Sequence, residues 1–314
     1  MYAWLRLCCP LIVLAACNGV DEPTDPTDDS DSEQVQYEAD PDVNTYVPEG
    51  YGATDPKRII YLGDSISAGV GASSGKLSYP ELLVENDESE WAGWGEQDLE
   101  SVYGDLEVID VAVSGARTGG LISDQLPAVS EAVGASASGE TIVVMTIGGN
   151  DMQAALLPML RAEDKDAAYE EQLRPVIDNF ETIIDYFQDP ARFPDGAFIY
   201  MTNVYEPTDN AGQVQQCFFG IDIGPALPYL QKANAEFREL AVAKGTASVD
   251  LYGHFQGHGH NSADAGIESH DEADPSLWLA NDCIHPNDRG HHEVRRLFLT
   301  AIEGRPLEAF GEAP

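Results

Sequence analysis

The sequence predicts an α/β fold, a three-layer α/β/α sandwich built on a central parallel sheet of about five strands. Three observations carry that reading. Short continuous apolar runs stop at glycines or turns, stretches with apolar residues three and four apart lie between them, and Gly, Ser, Asn and Asp gather where several runs end. A strand buried on both faces reads as an unbroken apolar run, and parallel strands need a crossover between them, usually a helix.

The first run, Arg58 to Leu62, stops at Gly63, and the second, Leu106 to Val113, is rich in Val and Ile and stops at Ser114-Gly115. Thr141 to Ile147 ends at Gly148-Gly149, Ala197 to Val204 forms a fourth run, and Ala247 to Tyr252 a weaker fifth. Leu173, Val176, Ile177, Phe180, Ile183, Ile184 and Phe187 follow the spacing of an amphipathic helix that begins near Pro175. Ala226 to Lys244 reads as a second helix ended by Gly245, and Val294, Leu297, Phe298, Ala301 and Ile302 mark a third. One domain over 57–304, followed by a tail over 305–314, accounts for the pattern, and there is no internal repeat.

The upstream segments differ in kind. Met1 to Cys17 carries one cation, Arg6, and an apolar stretch from Leu7 to Ala16, the layout of a secretory signal. Its end, Leu14-Ala15-Ala16-Cys17, resembles a bacterial lipobox, which implies a lipidated Cys17 and anchorage at a membrane surface, each buried CH₂ contributing about 0.8 kcal/mol. The alternative is an ordinary signal cleaved near Ala16. Over 18–56 there is no Lys or Arg, and twelve carboxylates lie between Asp21 and Asp55, so this stretch is expected to be a disordered, self-repelling tether.

Charge narrows the function. With 55 Asp and Glu against 16 Lys and Arg in 314 residues, the formal net charge is -39, which excludes nucleic-acid binding through a basic surface and disfavours polyanionic substrates. No apolar run approaches the roughly 20 residues of a membrane-spanning helix. The acidity is compatible with a solubilising surface, with adaptation to salt or with Ca binding. Of the five cysteines, Cys217 and Cys283 remain once the signal region and Cys17 are set aside, and in an oxidising compartment they are expected to pair.

Four strand-end elements carry the chemistry. Gly63-Asp64-Ser65 is a tight turn that presents a hydroxyl where a helix could start; Gly115 offers a backbone N–H that a substrate oxygen can approach closely. Gly148-Gly149-Asn150-Asp151 supplies an amide able to donate to an oxyanion. In Asp282-Cys283-Ile284-His285, an Asp three residues before a His can accept the Nδ1 proton and leave Nε2 free to deprotonate a serine. Each element alone is common; the four together, in this order, are not.

In these blocks the chain resembles the GDSL-like esterases and lipases of the SGNH hydrolase superfamily, whose fold is flavodoxin-like. The resemblance covers about 57–304. It implies Ser65 as nucleophile, His285 as base, Asp282 as its orienting carboxylate, and an oxyanion hole from the N–H groups of Ser65 and Gly115 and the Asn150 amide. The family often has Gly or another small residue where Cys283 stands. The resemblance further implies hydrolysis of carboxylic esters through an acyl-enzyme, with no metal or organic cofactor.

Other features admit plainer readings. Gly71-Ala72-Ser73-Ser74-Gly75 matches the G-x-S-x-G nucleophile elbow, but a Gly-rich loop precedes it where a strand is required, so Ser73 is read as a chance match. The polar insertion 253–281, with His254, His258, His260 and His270, reads as an exposed specificity loop. A Zn or Ca site from His258, His260, Asp264 and Asp271 is the sharper alternative. Trp91 and Trp94 read as packing rather than a sugar platform, and His291 and His292 as surface groups. Acetyl or short acyl esters are mildly favoured, because no long apolar helix adjoins Ser65 in the sequence; lipase or lysophospholipase action and a non-catalytic binding lipoprotein are the alternatives.

Overall fold

The computed structural model describes residues 45–213, 217 and 221–305. The signal, Cys17, most of the expected tether and residues 306–314 lie outside the described residues.

The chain enters the sheet through β1 (Pro56–Gly63), then crosses by α1 (Tyr79–Val84) and α2 (Leu99–Tyr103) to β2 (Glu107–Asp110). A short α3 (Thr118–Gly120) runs through a π-helical turn over Leu121–Gln125 into α4 (Leu126–Val133), which leads to β3 (Glu140–Thr146). Three helices follow: α5 (Gly149–Arg161), α6 (Lys165–Gln172) and α7 (Arg174–Gln188). After β4 (Ala197–Thr202) come α8 (Leu227–Lys244), β5 (Ala247–Val249), α9 (Leu251–Phe255) and α10 (Asp288–Glu303).

The five strands are all parallel, in the order β2-β1-β3-β4-β5. Strand order reverses between β1 and β3, so the crevice outside their C-terminal ends is where an open sheet of this kind receives ligands. Alternation along the central strands divides the core. Ile59, Tyr61, Ile142, Val144 and Tyr200 pack on one face with Tyr79, Leu82, Val294 and Phe298. Ile60, Leu62, Val143, Met145, Ile199 and Met201 pack on the other with Val176, Phe180, Ile184 and Phe237. Burial of both faces explains the unbroken apolar runs.

Several sequence expectations change. The second strand is an edge and only four residues long, with Val108 and Val113 about half exposed, because it has a neighbour on one side alone. Residues 45–56, read from the sequence as the end of the tether, belong to the packed structure. Tyr46 makes an antiparallel bridge to Ser248, the Tyr51 hydroxyl engages Ile199, and Ala53 is buried. The acidity of the tether thus masks aromatic anchors in its last dozen residues. Among the described residues no helix is long and apolar enough to cross a membrane.

His291 and His292 are fully buried rather than at the surface. The Nδ1 of His291 accepts from the Tyr79 N–H and its Nε2 faces the Val70 carbonyl, and burial lowers its pKa to about 4. His292 stacks on Trp91 with ring centres 3.8 Å apart, meets Trp94 edge-on, and accepts at Nδ1 from Arg295. Trp91 and Trp94 are therefore packing groups, as read from the sequence.

Candidate active site

Gly63 ends β1 at φ +127°, a conformation that favours glycine, and a Cβ there would stand 2.1 Å from the Thr146 carbonyl. A side-chain amide completes the pairing of its backbone: the Gly63 N–H donates to Gln125 Oε1 at 2.8 Å and Gln125 Nε2 donates to the Gly63 carbonyl at 2.7 Å. The chain then turns without starting a helix, with the Val70 N–H on the Ser65 carbonyl and the Ala68 N–H on the Asp64 carbonyl. The tight turn expected at Ser65 is present and holds the hydroxyl, but no helix starts there.

Asp64 anchors that turn. Its N–H donates to the Thr146 carbonyl, and its Oδ1 accepts from the Ile66 N–H at 3.0 Å and from the Thr146 hydroxyl at 3.2 Å. The Ser67 hydroxyl bridges Tyr79 and Thr146, tying the same turn to α1 and to the end of β3. Burial pushes the Asp64 carboxyl up to about 7, against the opposing pull of its hydrogen bonds from Ile66 and Thr146.

The structure brings Ser65, His285 and Asp282 together. His285 Nε2 lies 2.8 Å from Ser65 Oγ, and Nδ1 lies 2.6 Å from Asp282 Oδ2. Asp282 Oδ1 also accepts from the N–H groups of Ile284 and His285, at 3.1 and 3.0 Å, so the carboxylate is fixed by the turn it opens. Partial burial raises the Asp282 pKa, but the hydrogen bonds from the His285 side chain and from the two N–H groups outweigh it and hold the carboxyl below its ordinary value. It stays ionised opposite the imidazole.

The disulfide expected from the sequence, together with Tyr205 and the Gly71 loop, holds this turn in place. The Tyr205 hydroxyl donates to the Ile284 carbonyl. Gly71, at φ +102°, lets its loop press against the turn: a Cβ there would meet the Pro286 carbonyl at 2.1 Å and the His285 Cβ at 2.9 Å. Cys283 itself has φ +74° and forms a disulfide with Cys217, their Cα atoms 5.8 Å apart. A positive φ there is unstrained only for glycine. The disulfide secures a cysteine in it.

The third and second blocks meet through Asn150. Its Nδ2 donates to the Ala116 carbonyl at 2.9 Å, directly after Gly115, and Asp151 accepts from the backbone and hydroxyl of Thr118 at 3.0 and 2.9 Å. Ser65, Asn150 and His285 line one cleft of about 250 Å³. Gly115 is exposed in the turn that Asn150 holds and is not among the residues lining the cleft. A hydroxyl in line with an imidazole and a carboxylate can pass its proton to the ring, and amide donors beside it can receive negative charge.

The remaining expectations resolve as follows. Ser73 donates from its N–H and hydroxyl to Asp288, both at 2.6 Å, and follows a loop rather than a strand, in keeping with a chance motif. The insertion 253–281 is only partly an exposed loop. Its first part packs inward, Asp209 accepting from the N–H groups of Gly257, Gly259 and Asn261 while His258 stacks on Trp278 at 3.4 Å. Most residues over 263–277 are exposed. His258, His260, Asp264 and Asp271 do not assemble into a ligand set. Among the described residues the one group of three potential ligands is His260 with Cys217 and Cys283, whose sulfurs are bonded to each other.

The supporting residues left faint traces in the sequence. Gln125 is a polar residue beside the buried Leu121, Leu126 and Val129, which is the kind of position where an amide must have a partner. Tyr205 and Thr146 stand at strand ends. Gly71 stands in the sequence only as the first glycine of the chance G-x-S-x-G match.

Solved structures of similar shape exist. The lipase Lip_vut3 from a goat rumen metagenome is 18% identical with a TM-score of 0.49, the match covering 78% of this chain and 96% of that one. Phospholipase A1 from Streptomyces albidoflavus NA297 is 19% identical with a TM-score of 0.48, covering 80% and 100%. The acetyl xylan esterase AlAXEase is 17% identical with a TM-score of 0.49, covering 78% and 99%. No curated protein matches the sequence. The model of the GDSL-like Lipase/Acylhydrolase family matches residues 61–293, a span that holds Ser65, Asn150, Asp282 and His285: the chain belongs to this family of carboxylic ester hydrolases.

Proposed function

We propose that the protein is an exported serine esterase, held at a membrane by lipid on Cys17, that cleaves neutral carboxylic esters through an acyl-enzyme on Ser65. One observation carries the chemistry: the continuous hydrogen-bonded line from Ser65 Oγ through His285 to Asp282, opening on a cleft.

In the proposed reaction His285 Nε2 takes the Ser65 proton as Oγ attacks the ester carbonyl. The oxyanion is received by the N–H of Ser65 and by the second N–H of the Asn150 amide, whose first is spent on Ala116, with the Gly115 N–H that the family resemblance implies on the exposed turn that Asn150 holds. His285, now cationic and opposite ionised Asp282, returns the proton to the leaving alcohol. Water then repeats the sequence and frees the acid. The overall negative charge supports a neutral ester as substrate, since a polyanion would be repelled.

Protein lacking residues 1–17 should hydrolyse p-nitrophenyl esters, and a fluorophosphonate should label Ser65. Ser65→Ala is expected to lower kcat by at least about 10⁴-fold, the scale on which a nucleophile acts. Full activity in that variant would sink the assignment.

A further inference from the structure

We infer that the cleft beside Ser65 is an acyl-chain pocket for neutral medium-length chains, on the order of six to ten carbons, rather than an acetyl site. The inference rests on the serine esterase reading above and adds the substrate class.

Away from the triad, much of the wall is apolar. Met152, Leu156 and Met159 stand at positions i, i+4 and i+7 of α5, so they form one stripe that leads away from Asn150 at the start of the helix. At 1.5 Å per residue that stripe runs roughly 10 Å. Ile223, Leu227 and Leu230, before and within the first turn of α8, also line the cleft. Two elements far from Ser65 in sequence thus supply the apolar surface that the residues next to Ser65 lack. This is why the sequence favoured short acyl groups and the fold does not.

The cleft has room for more than an acetyl group: its volume of about 250 Å³ is many times the ~10–15 Å³ that one water molecule needs, and the roughly 10 Å stripe sets how far a chain can follow the wall. Two thioethers at the ends of the stripe suit a flexible chain that adopts several conformers.

Charge sets the chemistry. No Lys or Arg is among the residues lining the cleft, and its acidic and basic members are Asp64, Glu206 and His285, beside the phenols of Tyr205 and Tyr229. Glu206 is buried and already accepts from the N–H groups of Thr208 and Asn210 and from the Thr208 hydroxyl. A chain ending in phosphate or carboxylate would find no cation there. A hydrocarbon tail needs none.

The test is a p-nitrophenyl ester series from acetate to palmitate, run beside acetate esters of alcohols of increasing length. Each buried methylene is worth up to about fourfold in binding, so octanoate should exceed acetate in kcat/KM by at least about 30-fold, with a fall beyond decanoate. Met159→Trp and Leu156→Trp should each lower the octanoate-to-acetate ratio by tenfold or more. A second readout needs no turnover: Ser65→Ala protein should bind the neutral ester methyl octanoate saturably in titration calorimetry and show no heat with methyl acetate. A preference for acetate, a length preference on the alcohol side alone, or a ratio unmoved by both Trp variants would overturn the pocket and leave the esterase standing. Methyl octanoate binding without Ser65-dependent hydrolysis of any ester would instead overturn the esterase and leave the pocket.

Discussion

Asp64 stands one residue before the proposed nucleophile, buried, with a carboxyl raised to about 7 from an ordinary 3.8. The folded state keeps the proton that the unfolded chain releases, so this carboxyl costs nothing below pH 3.8 and destabilises progressively as pH rises toward 7, by roughly 4 kcal/mol at 1.36 kcal/mol per unit. Asp64→Asn keeps an Oδ1 acceptor for Ile66 and Thr146 and cannot ionise. Its melting temperature relative to the parent protein should therefore rise between pH 4 and pH 8, measured by calorimetry across that range; a difference that stays flat would show that the carboxyl is ionised when folded. The Ile66 partner of Asp64 is local to its turn, but the contact with Thr146, 82 residues away, is not visible in Gly63-Asp64-Ser65 itself.

The element that matters most to the chemistry is the turn before α10, which holds Asp282, Cys283 and His285. It is secured from three directions: the Gly71 loop against His285, the Tyr205 hydroxyl on Ile284, and the disulfide from Cys283 to Cys217, 66 residues apart. A cross-link of that span stabilises by about 4 kcal/mol in the chain-entropy model. It also ties down a residue with φ +74° between the two side chains that must stay 2.6 Å apart. Replacing both cysteines by serine should lower stability by roughly 2–4 kcal/mol in urea titration and reduce kcat at temperatures where the variant is still folded. Unchanged kcat would mean that the other two supports suffice. The sequence made this turn legible as Asp-x-x-His and, through the expected Cys217–Cys283 pairing, one of its supports; the contacts from Tyr205 and Gly71 could not be read from it.

At the scale of the whole molecule, the charge of -39 falls partly on the described structure and partly on the segment before it, where twelve carboxylates lie between Asp21 and Asp55. A lipid on Cys17 would place that acidic stretch between the membrane and the ester-hydrolysing domain. In cells fed labelled palmitate, the full chain should become labelled and partition with membranes, and Cys17→Ala should lose both the label and the membrane fraction; labelling that survives the substitution would overturn the anchor. Residues 45–56 show that such a spacer ends earlier than its composition suggests, since Tyr46, Tyr51 and Ala53 contact the domain.

What the sequence determined by itself is local and periodic: apolar runs for buried parallel strands, helical spacing for α7, α8 and α10, and residue types competent for acyl transfer at Ser65, Asn150, Asp282 and His285. These follow from short-range rules, the side-chain period of each element and the chemistry of each group. Tertiary structure alone decided what meets what. It set Gln125 against Gly63, Thr146 against Asp64 and Gly71 against His285. It buried His291 and His292, folded half of the 253–281 insertion inward, and gathered the stripe of α5 with the start of α8 into one apolar cleft. Contacts between residues tens to hundreds apart are selected by how whole elements pack, and no local pattern in the chain records that choice.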